Sequence, residues 1–193
     1  FQELTLANVL TNQNYDTIDQ MIAFARETGA AKIYFTLVDP IDGKTDRLLL
    51  NEEERAWLHA YFKKLDSRKL GSLIVEHYDN IVARLESSQS VQSGNYDGLV
   101  VDSIPCYMGW HFSRVLANGN VVPCCRGVKK VIGNIKKDRF SRIWNSPRQQ
   151  EFRNKALLLS KFHPFFDDIE CYKTCDNLIQ NKIVHERVLN QFR

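Results

Sequence analysis

The sequence lacks any run of eighteen or more apolar residues, so no membrane-spanning helix is expected. It also lacks a signal peptide, which predicts a cytoplasmic protein. Its formal net charge is only +3, too small to predict nucleic-acid binding, and a scattered basic surface is expected instead. No Ser/His/Asp arrangement, phosphate-binding glycine loop or pair of catalytic carboxylates stands out. The remaining composition, 44% apolar and 25% charged, is that of an ordinary globular protein.

Short apolar segments alternate with amphipathic ones in the first part of the chain, residues 1–87. Asn51 and Glu54 have the spacing of a capping box at the start of one amphipathic segment, and Gly29 is a stop signal at the end of another. Alternation of this kind predicts parallel strands joined by helices, and hence an α/β fold. The predicted strands are 4–10, 32–38 and 72–75, and the predicted helices are 14–29, 51–65 and 78–85.

A change of composition near Ser87 predicts a domain boundary. Residues 88–98 are mostly polar and small, which is typical of a linker, and a second unit is expected over residues 99–193. Within it, Asn118-Gly119 lies between two apolar runs and predicts a hairpin in which both turn residues have positive φ. A helix over 139–159, interrupted at Ser146-Pro147, and a final helix over 177–192 complete the unit.

The sequence contains five cysteines, and four of them fall in two close groups, Cys124-Cys125 and Cys171-x-x-x-Cys175. In a reducing cytosol, clustered cysteines indicate a metal rather than disulfides. The hairpin would return Cys124, just after Pro123, towards Cys106, and one turn could present both Cys171 and Cys175. Four thiolates from three loops are the ligand set of a cubane iron–sulfur cluster.

A four-cysteine zinc site is the main alternative, since zinc also binds four thiolates. Structural zinc sites use two close pairs of cysteines, and the Cys106–Cys124 spacing does not fit that pattern, so the spacing favours iron–sulfur over zinc only modestly. Cys125 is interpreted as a small buried side chain, because adjacent residues of an extended chain point to opposite sides.

Four segments in order resemble the SPASM/twitch domain, the C-terminal extension of many radical S-adenosylmethionine (radical SAM) enzymes. They are Cys-Tyr-Met-Gly-Trp at 106–110, Asn-Gly-Asn-Val-Val-Pro-Cys-Cys-Arg at 118–126, Ile-Gly-Asn-Ile at 132–135 and Phe-Ser-Arg-Ile-Trp-Asn at 140–145. With the closing cysteines, the resemblance covers about residues 104–177. Together these features are specific, although no single one is.

Residues 6–14, the following helix and residues 32–38 more loosely resemble the fourth and fifth strand–helix units of the radical SAM partial (β/α)6 barrel. That barrel carries a Cys-x-x-x-Cys-x-x-Cys loop after its first strand, and this sequence has neither the loop nor the first three strands. The chain, which begins with Phe1, is therefore expected to be part of a longer polypeptide whose N-terminal radical SAM half is missing. By itself it is expected to be inactive.

The resemblance implies that Cys106, Cys124, Cys171 and Cys175 hold one auxiliary [4Fe–4S] cluster. The cysteines are too few for the two clusters of a full SPASM domain, so the one-cluster twitch version fits better. The closing pair is Cys-x-x-x-Cys where the family often has Cys-x-x-Cys, which leaves Cys125 as a reserve ligand. A cluster with four protein ligands has no open iron and would act as an electron relay or a structural staple.

In the parent enzyme, an oxidoreductase or maturase, the resemblance implies a second [4Fe–4S] cluster that cleaves S-adenosylmethionine to form a radical, with a flavodoxin or ferredoxin as reductant. Thr11 and Asn14 would then contact S-adenosylmethionine, although Asn14 or Asp16 capping the next helix is the simpler interpretation. The sequence does not indicate the substrate.

Trp110 and Trp144 could shield the cluster or simply pack in the core, and Arg126 could balance cluster charge or lie on the surface. Two other functions remain open. One is a zinc-stapled binding module without catalysis, and the other is a free-standing iron–sulfur electron-transfer protein.

Overall fold

The computed structural model describes residues 3–41, 43–66, 70–86, 88–98 and 100–191. The chain divides into two compact units, residues 1–96 and residues 97–193. No helix in the described part of the chain is both long and apolar enough to cross a membrane.

The first unit is built around a parallel three-stranded sheet of order β1-β2-β3, as the alternation of segments predicted. Strands β1 and β2 pair from Thr5 with Lys32 to Leu10 with Leu37. The elements in chain order are β1 (Thr5–Leu10), α1 (Ile18–Glu27), β2 (Lys32–Leu37), a 3₁₀ turn (Asp46–Leu48), α2 (Glu52–Lys63), β3 (Ile74–Glu76), α3 (Tyr78–Glu86) and α4 (Ser88–Ser93).

Local sequence signals determine where these helices begin and end. Asn51 and Glu54 form the predicted capping box of α2, each side chain accepting a hydrogen bond from the other's backbone N–H. Helix α1 ends before Gly29, which has φ +69°, and the Ala30 N–H reaches back to the Ala25 carbonyl. One side of the helices and sheet then buries a continuous apolar core that includes Leu10, Ile18, Ile22, Ile33, Phe35, Leu58, Phe62, Ile81 and Leu85.

The segment predicted as a linker, residues 88–98, differs from that prediction. Its first part is helix α4, and its apolar side chains Val91 and Tyr96 are buried in the core of the first unit. The Tyr96 hydroxyl donates a hydrogen bond to the Val38 carbonyl. A mostly polar composition does not reveal two anchoring apolar residues, because burial depends on the surfaces they meet. The predicted limits at Ser87 and Leu99 lie outside the described residues.

The second unit combines a small antiparallel sheet, of order β4-β5-β6, with short and medium helices. Val121, Ile132 and Ile143 form a compact apolar cluster behind this sheet, and Gly133 passes so close to Ile143 that a Cβ there would lie 2.6 Å from it. The elements are α5 (Met108–His111), β4 (Arg114–Val115), β5 (Asn120–Val122), β6 (Gly133–Asn134), α6 (Phe140–Trp144), α7 (Pro147–Leu158), a 3₁₀ turn (Pro164–Phe166) and α8 (Leu178–Gln191).

The predicted hairpin joins β4 to β5, but its turn has a different geometry. Only Gly119 has positive φ (+87°), whereas Asn118 does not. The Gly119 N–H donates to the Leu116 carbonyl, and the Leu116 N–H donates to the Asn120 carbonyl. This is a three-residue loop closed by a left-handed glycine, in which only the last position needs positive φ.

The structure confirms the two helical segments predicted for the second unit and the break predicted within the first of them. The 139–159 segment breaks between α6 and α7, where Ser146 caps α7 by accepting a hydrogen bond from the Gln149 N–H and Pro147 occupies the first turn. The final helix runs to Gln191, and its predicted end at Phe192 lies outside the described residues.

Candidate metal centre

Three loops of the second unit carry the predicted cysteine ligands. Cys106 follows Pro105 in the loop before α5, and Cys124 comes two residues after β5 ends. Cys171 and Cys175 lie in the loop between the second 3₁₀ turn and α8. The structure places all four side chains around one cavity, and we refer to them together as the four cavity cysteines.

The cavity lies inside the second unit and is walled mainly by apolar side chains. The space that the centre of a water-sized sphere can reach is about 30 Å³, more than one buried water requires. Among the described residues, no three His, Cys, Asp or Glu side chains converge on a point where a single ion could be held. The apolar wall is formed by Val101, Met108, Phe152, Phe166, Ile169 and Leu178.

All five cysteines are free thiols, and burial changes the ionisation of those in the cavity. Burial raises the pKa of Cys171 to about 12, with a smaller contribution from Cys106. Burial also raises the pKa of the Cys106, Cys124 and Cys175 thiols, and neighbouring thiols add to this at Cys124 and Cys175. The metal-free protein therefore carries these groups as neutral thiols at pH 7, and a metal must displace their protons to bind.

Cys125, the reserve ligand, does not line the cavity. Its N–H donates to Asn177 Oδ1 over 3.4 Å, and its carbonyl accepts a hydrogen bond from Arg114. Burial, followed by the charge of Asp176, raises the pKa of its thiol. The two adjacent cysteines thus have different surroundings, although the chain bends at residues 123–126 instead of continuing extended as the sequence analysis assumed.

A buried carboxylate holds the loop that carries Cys175. Asp97 is 2% exposed, and its Oδ2 accepts hydrogen bonds from the Cys175 N–H at 2.8 Å and the Thr174 hydroxyl at 3.0 Å. The Asp97 N–H donates in turn to the Lys173 carbonyl. Sequence analysis missed this residue, because a single Asp within a polar stretch carries no local signal of a partner 78 residues away.

A buried amide brackets Cys106 in a similar way. Asn181 of α8 accepts a hydrogen bond from the Tyr107 N–H and donates one to the Pro105 carbonyl, both at 2.6 Å. The Cys106 N–H itself donates to the Ala156 carbonyl of α7. Asn181 also lines the cavity, so one side chain ties the last helix to both peptides beside a candidate ligand. It too was missed, since an Asn in an amphipathic helix is usually solvated.

Arg126 and the two tryptophans were assigned alternative roles from the sequence. Arg126 lines the cavity, with its guanidinium 3.5 Å from Glu170 and bonded to the Ile169 carbonyl, so it is not a solvated surface residue. Trp110 is 42% exposed, and Trp144 packs beneath the guanidinium of Arg153. Neither tryptophan is among the residues that line the cavity.

Thr11 and Asn14, the candidate contacts for S-adenosylmethionine, lie in the first unit just after β1. Asn14 Oδ1 accepts hydrogen bonds from the backbone N–H and the hydroxyl of Thr11, and its Nδ2 donates to the Val9 carbonyl. The helix that follows has Thr17 at its N-cap, without a side-chain capping bond, so neither Asn14 nor Asp16 caps it. The two side chains instead close a tight turn at the carboxyl end of a parallel strand.

Comparison with known proteins adds to this geometry. Residues 106–177, which contain all five cysteines, match the family model of SPASM, an iron–sulfur cluster-binding domain. No curated protein sequence matches the chain significantly.

Three solved structures resemble the chain. Two structures of Streptococcus suis SuiB, the second described as bound to S-adenosylmethionine, match with TM-scores of 0.51 and 0.50 at 16% and 17% identity, over 79% of this chain. The chain spans only 37% and 36% of those two chains. BtrN in complex with AdoMet and 2-DOIA matches at 20% identity over 84% of this chain and 67% of that one, but its TM-score of 0.35 is too low to establish a common fold.

The SuiB match shows a shared mixed α/β fold, and the residues matched by the SPASM family model lie in the unit that contains the cavity. Residues 106–177 are therefore similar to the SPASM family of iron–sulfur cluster-binding domains, in agreement with the SPASM resemblance identified from the sequence.

Proposed function

We propose that the second unit binds one auxiliary [4Fe–4S] cluster through Cys106, Cys124, Cys171 and Cys175, as in the one-cluster twitch version of the domain. The observation that carries this proposal is that four thiols, from three separate loops, line one buried cavity within the second unit, and all four cysteines fall in the matched region. A four-thiolate donor set suits both such a cluster and zinc, so the metal content is the decisive measurement.

The chain's own residues would bind the cluster, exclude water and hold its ligands in place. The four cavity cysteines would lose their protons as they become ligands. Phe152, Phe166 and Ile169 would keep solvent away, while Asp97 and Asn181 would fix the loops of Cys175 and Cys106. Such a cluster supplies one-electron transfer, and four protein ligands leave it no open iron, so we assign it the role of electron relay or structural staple.

For the whole protein we propose a radical SAM enzyme, of oxidoreductase or maturase type, with its S-adenosylmethionine-cleaving cluster bound outside these 193 residues. The sequence contains no Cys-x-x-x-Cys-x-x-Cys loop, so this chain alone should not cleave S-adenosylmethionine. Residues 1–87 would form the later strand–helix units of the partial barrel, with Thr11 and Asn14 near the S-adenosylmethionine of the complete enzyme. A flavodoxin or ferredoxin would supply electrons.

Anaerobic reconstitution with iron and sulfide, followed by metal and sulfide analysis, tests the cluster proposal. We expect broad visible absorbance and about four irons per chain. Cys106→Ala and Cys171→Ala should lose the cluster, whereas Cys125→Ala, the matched control beside a candidate ligand, should retain it. The reconstituted chain should release no 5′-deoxyadenosine from S-adenosylmethionine.

Two results would overturn the proposal. Colourless protein with about one zinc per chain would identify a zinc-stapled module instead. Loss of iron in Cys125→Ala, combined with its retention in Cys124→Ala, would show that the ligand set is wrong.

A further inference from the structure

Lys161 is a buried lysine at the cavity, and neither the sequence analysis nor the cluster proposal assigns it a role. It follows α7 by three residues, is only 4% exposed, and lines the same cavity as the four cavity cysteines. Lysine is almost never fully buried unless its charge is balanced by a partner. The position therefore calls for a negative group nearby.

The surrounding residues direct this side chain inward, and the Asp102 carboxylate interacts electrostatically with its charge without forming an ion pair with it. Asp102 accepts hydrogen bonds from the Lys161 N–H at 2.6 Å and from the Ser160 hydroxyl at 2.8 Å, which fixes the turn after α7. The Lys161 ammonium donates only long hydrogen bonds, of 3.4 Å each, to the carbonyls of Ile104 and Leu159. Over the described ranges, no carboxylate lies within ion-pair distance of Nζ, in contrast to Arg126, which is paired with Glu170.

The charge of Lys161 acts on the thiols across the cavity. Burial is the main influence on the Cys106 and Cys171 thiols and raises the pKa of both, but the ammonium of Lys161 opposes it and favours their thiolate forms. The two thiols come from different loops, so the ammonium acts on two of the four candidate ligands rather than on a single neighbour.

We propose that Lys161 is a buried counter-charge that makes one-electron reduction of the auxiliary cluster more favourable. The inference rests on the proposed cluster. A cluster held by four thiolates is negatively charged, and reduction adds one more negative charge to it. A fixed positive charge in a water-poor site stabilises the reduced form more than the oxidised one, because electrostatic interactions are weakly screened there. Its removal should therefore lower the midpoint potential.

The test compares Lys161→Met and Lys161→Gln, which remove the charge, with Lys161→Arg, which keeps it. Lys182→Met is the matched control, because Lys182 is an exposed lysine in α8, next to the cavity residue Asn181. Each protein is reconstituted anaerobically and its iron counted, and the cluster is then titrated with dithionite and redox mediators while the reduced form is followed by electron paramagnetic resonance. These measurements do not depend on enzyme activity.

We expect the two neutral variants to retain iron and to shift to a more negative midpoint potential, while Lys161→Arg and Lys182→Met stay at the wild-type value. Loss of the cluster in both neutral variants but not in Lys161→Arg would also support the counter-charge role, since Met and Gln share only the absence of the positive charge that Lys and Arg carry. An unchanged potential in the neutral variants, or loss of the cluster in Lys161→Arg, would overturn it. Failure of the cluster proposal itself is distinguishable, because the wild-type protein would then contain no iron.

Discussion

The neutral state of the buried thiols is the residue-scale property that links the stability of this protein to its chemistry. Apolar side chains form most of the wall around the four cavity cysteines, and burial raises the pKa of each. In an unfolded chain the same thiols have a pKa of about 8.5. Below that pH the thiols are protonated in both the folded and the unfolded chain, so their burial contributes fully to the free energy of unfolding. Above it, only the unfolded chain ionises, and this contribution decreases as the pH rises towards the folded-state pKa.

We therefore predict that the metal-free protein loses stability between pH 7.5 and 9.5. Each cavity thiol should contribute a loss of at most about 1.4 kcal/mol per pH unit above its unfolded pKa. Urea denaturation under reducing conditions at the two pH values measures the change. Cys106→Ser should lose less than wild type, because one titrating thiol is gone. Equal stability of the wild-type protein at both pH values would show that the folded-state thiols already ionise at their ordinary pKa.

Helix α8 is the element that connects the end of the second unit to the Cys106 loop. Asn181 is its inward-facing polar residue, and Tyr107 adds a second connection through a 3.0 Å contact between its hydroxyl and His185 Nδ1. The two Asn181 hydrogen bonds join this helix to residues that lie 74 and 76 positions earlier in the chain. The helix therefore does more than cover apolar surface, since it orients the peptides on both sides of a candidate ligand.

We predict that Asn181→Ala destabilises the second unit by about 1–3 kcal/mol, because it leaves the Tyr107 N–H and the Pro105 carbonyl without their buried partner. Urea denaturation measures the stability, and iron retention during a chelator challenge measures the effect on the site. Asn190→Ala, at an exposed position of the same helix, is the control and should resemble wild type. If both variants lose iron at the same rate, Asn181 does not hold the Cys106 loop.

At the scale of the whole molecule, the two units differ in how much apolar core they contain. The first unit buries a continuous core between its sheet and helices. The second divides its apolar residues between a cluster behind its sheet and a second cluster beside the cavity, made of Phe152, Ala156, Phe166 and Ile169. A unit with a small, divided core gains more from a metal centre that joins several loops.

We predict that removing iron increases hydrogen exchange selectively in the second unit. Amides in the Cys106 and 171–175 loops should exchange at least about tenfold faster in the metal-free protein, which corresponds to ~1.4 kcal/mol, because cluster binding stabilises the folded loops. Amides of β1 and β2 should be unchanged. Mass spectrometry of the reconstituted and the chelator-treated protein makes the comparison. Equal protection of the second unit in both forms would exclude a structural role for the metal.

Local pattern was sufficient for much of the fold. Alternating apolar segments predicted the parallel sheet, Asn51 and Glu54 predicted the start of α2, and Ser146-Pro147 predicted the break before α7. Each of these signals acts over a few residues, through backbone geometry or a capping bond. The pattern failed where burial depended on distant partners, as at Val91 and Tyr96 within the predicted linker. It also failed at the hairpin, where loop length decided that Asn118 does not need positive φ.

For the candidate site, the sequence by itself determined the kinds of donor, their order and the family they resemble, because thiol chemistry and the Pro123-Cys124 strand end are local properties. Only the tertiary structure decided that Cys124 and not Cys125 lines the cavity, that Asn181 and Lys161 line it too, and that Asp97 holds the loop of Cys175. These residues act through contacts between segments far apart in the chain. Side-chain direction and burial at such contacts are set by packing, which no short stretch of sequence contains.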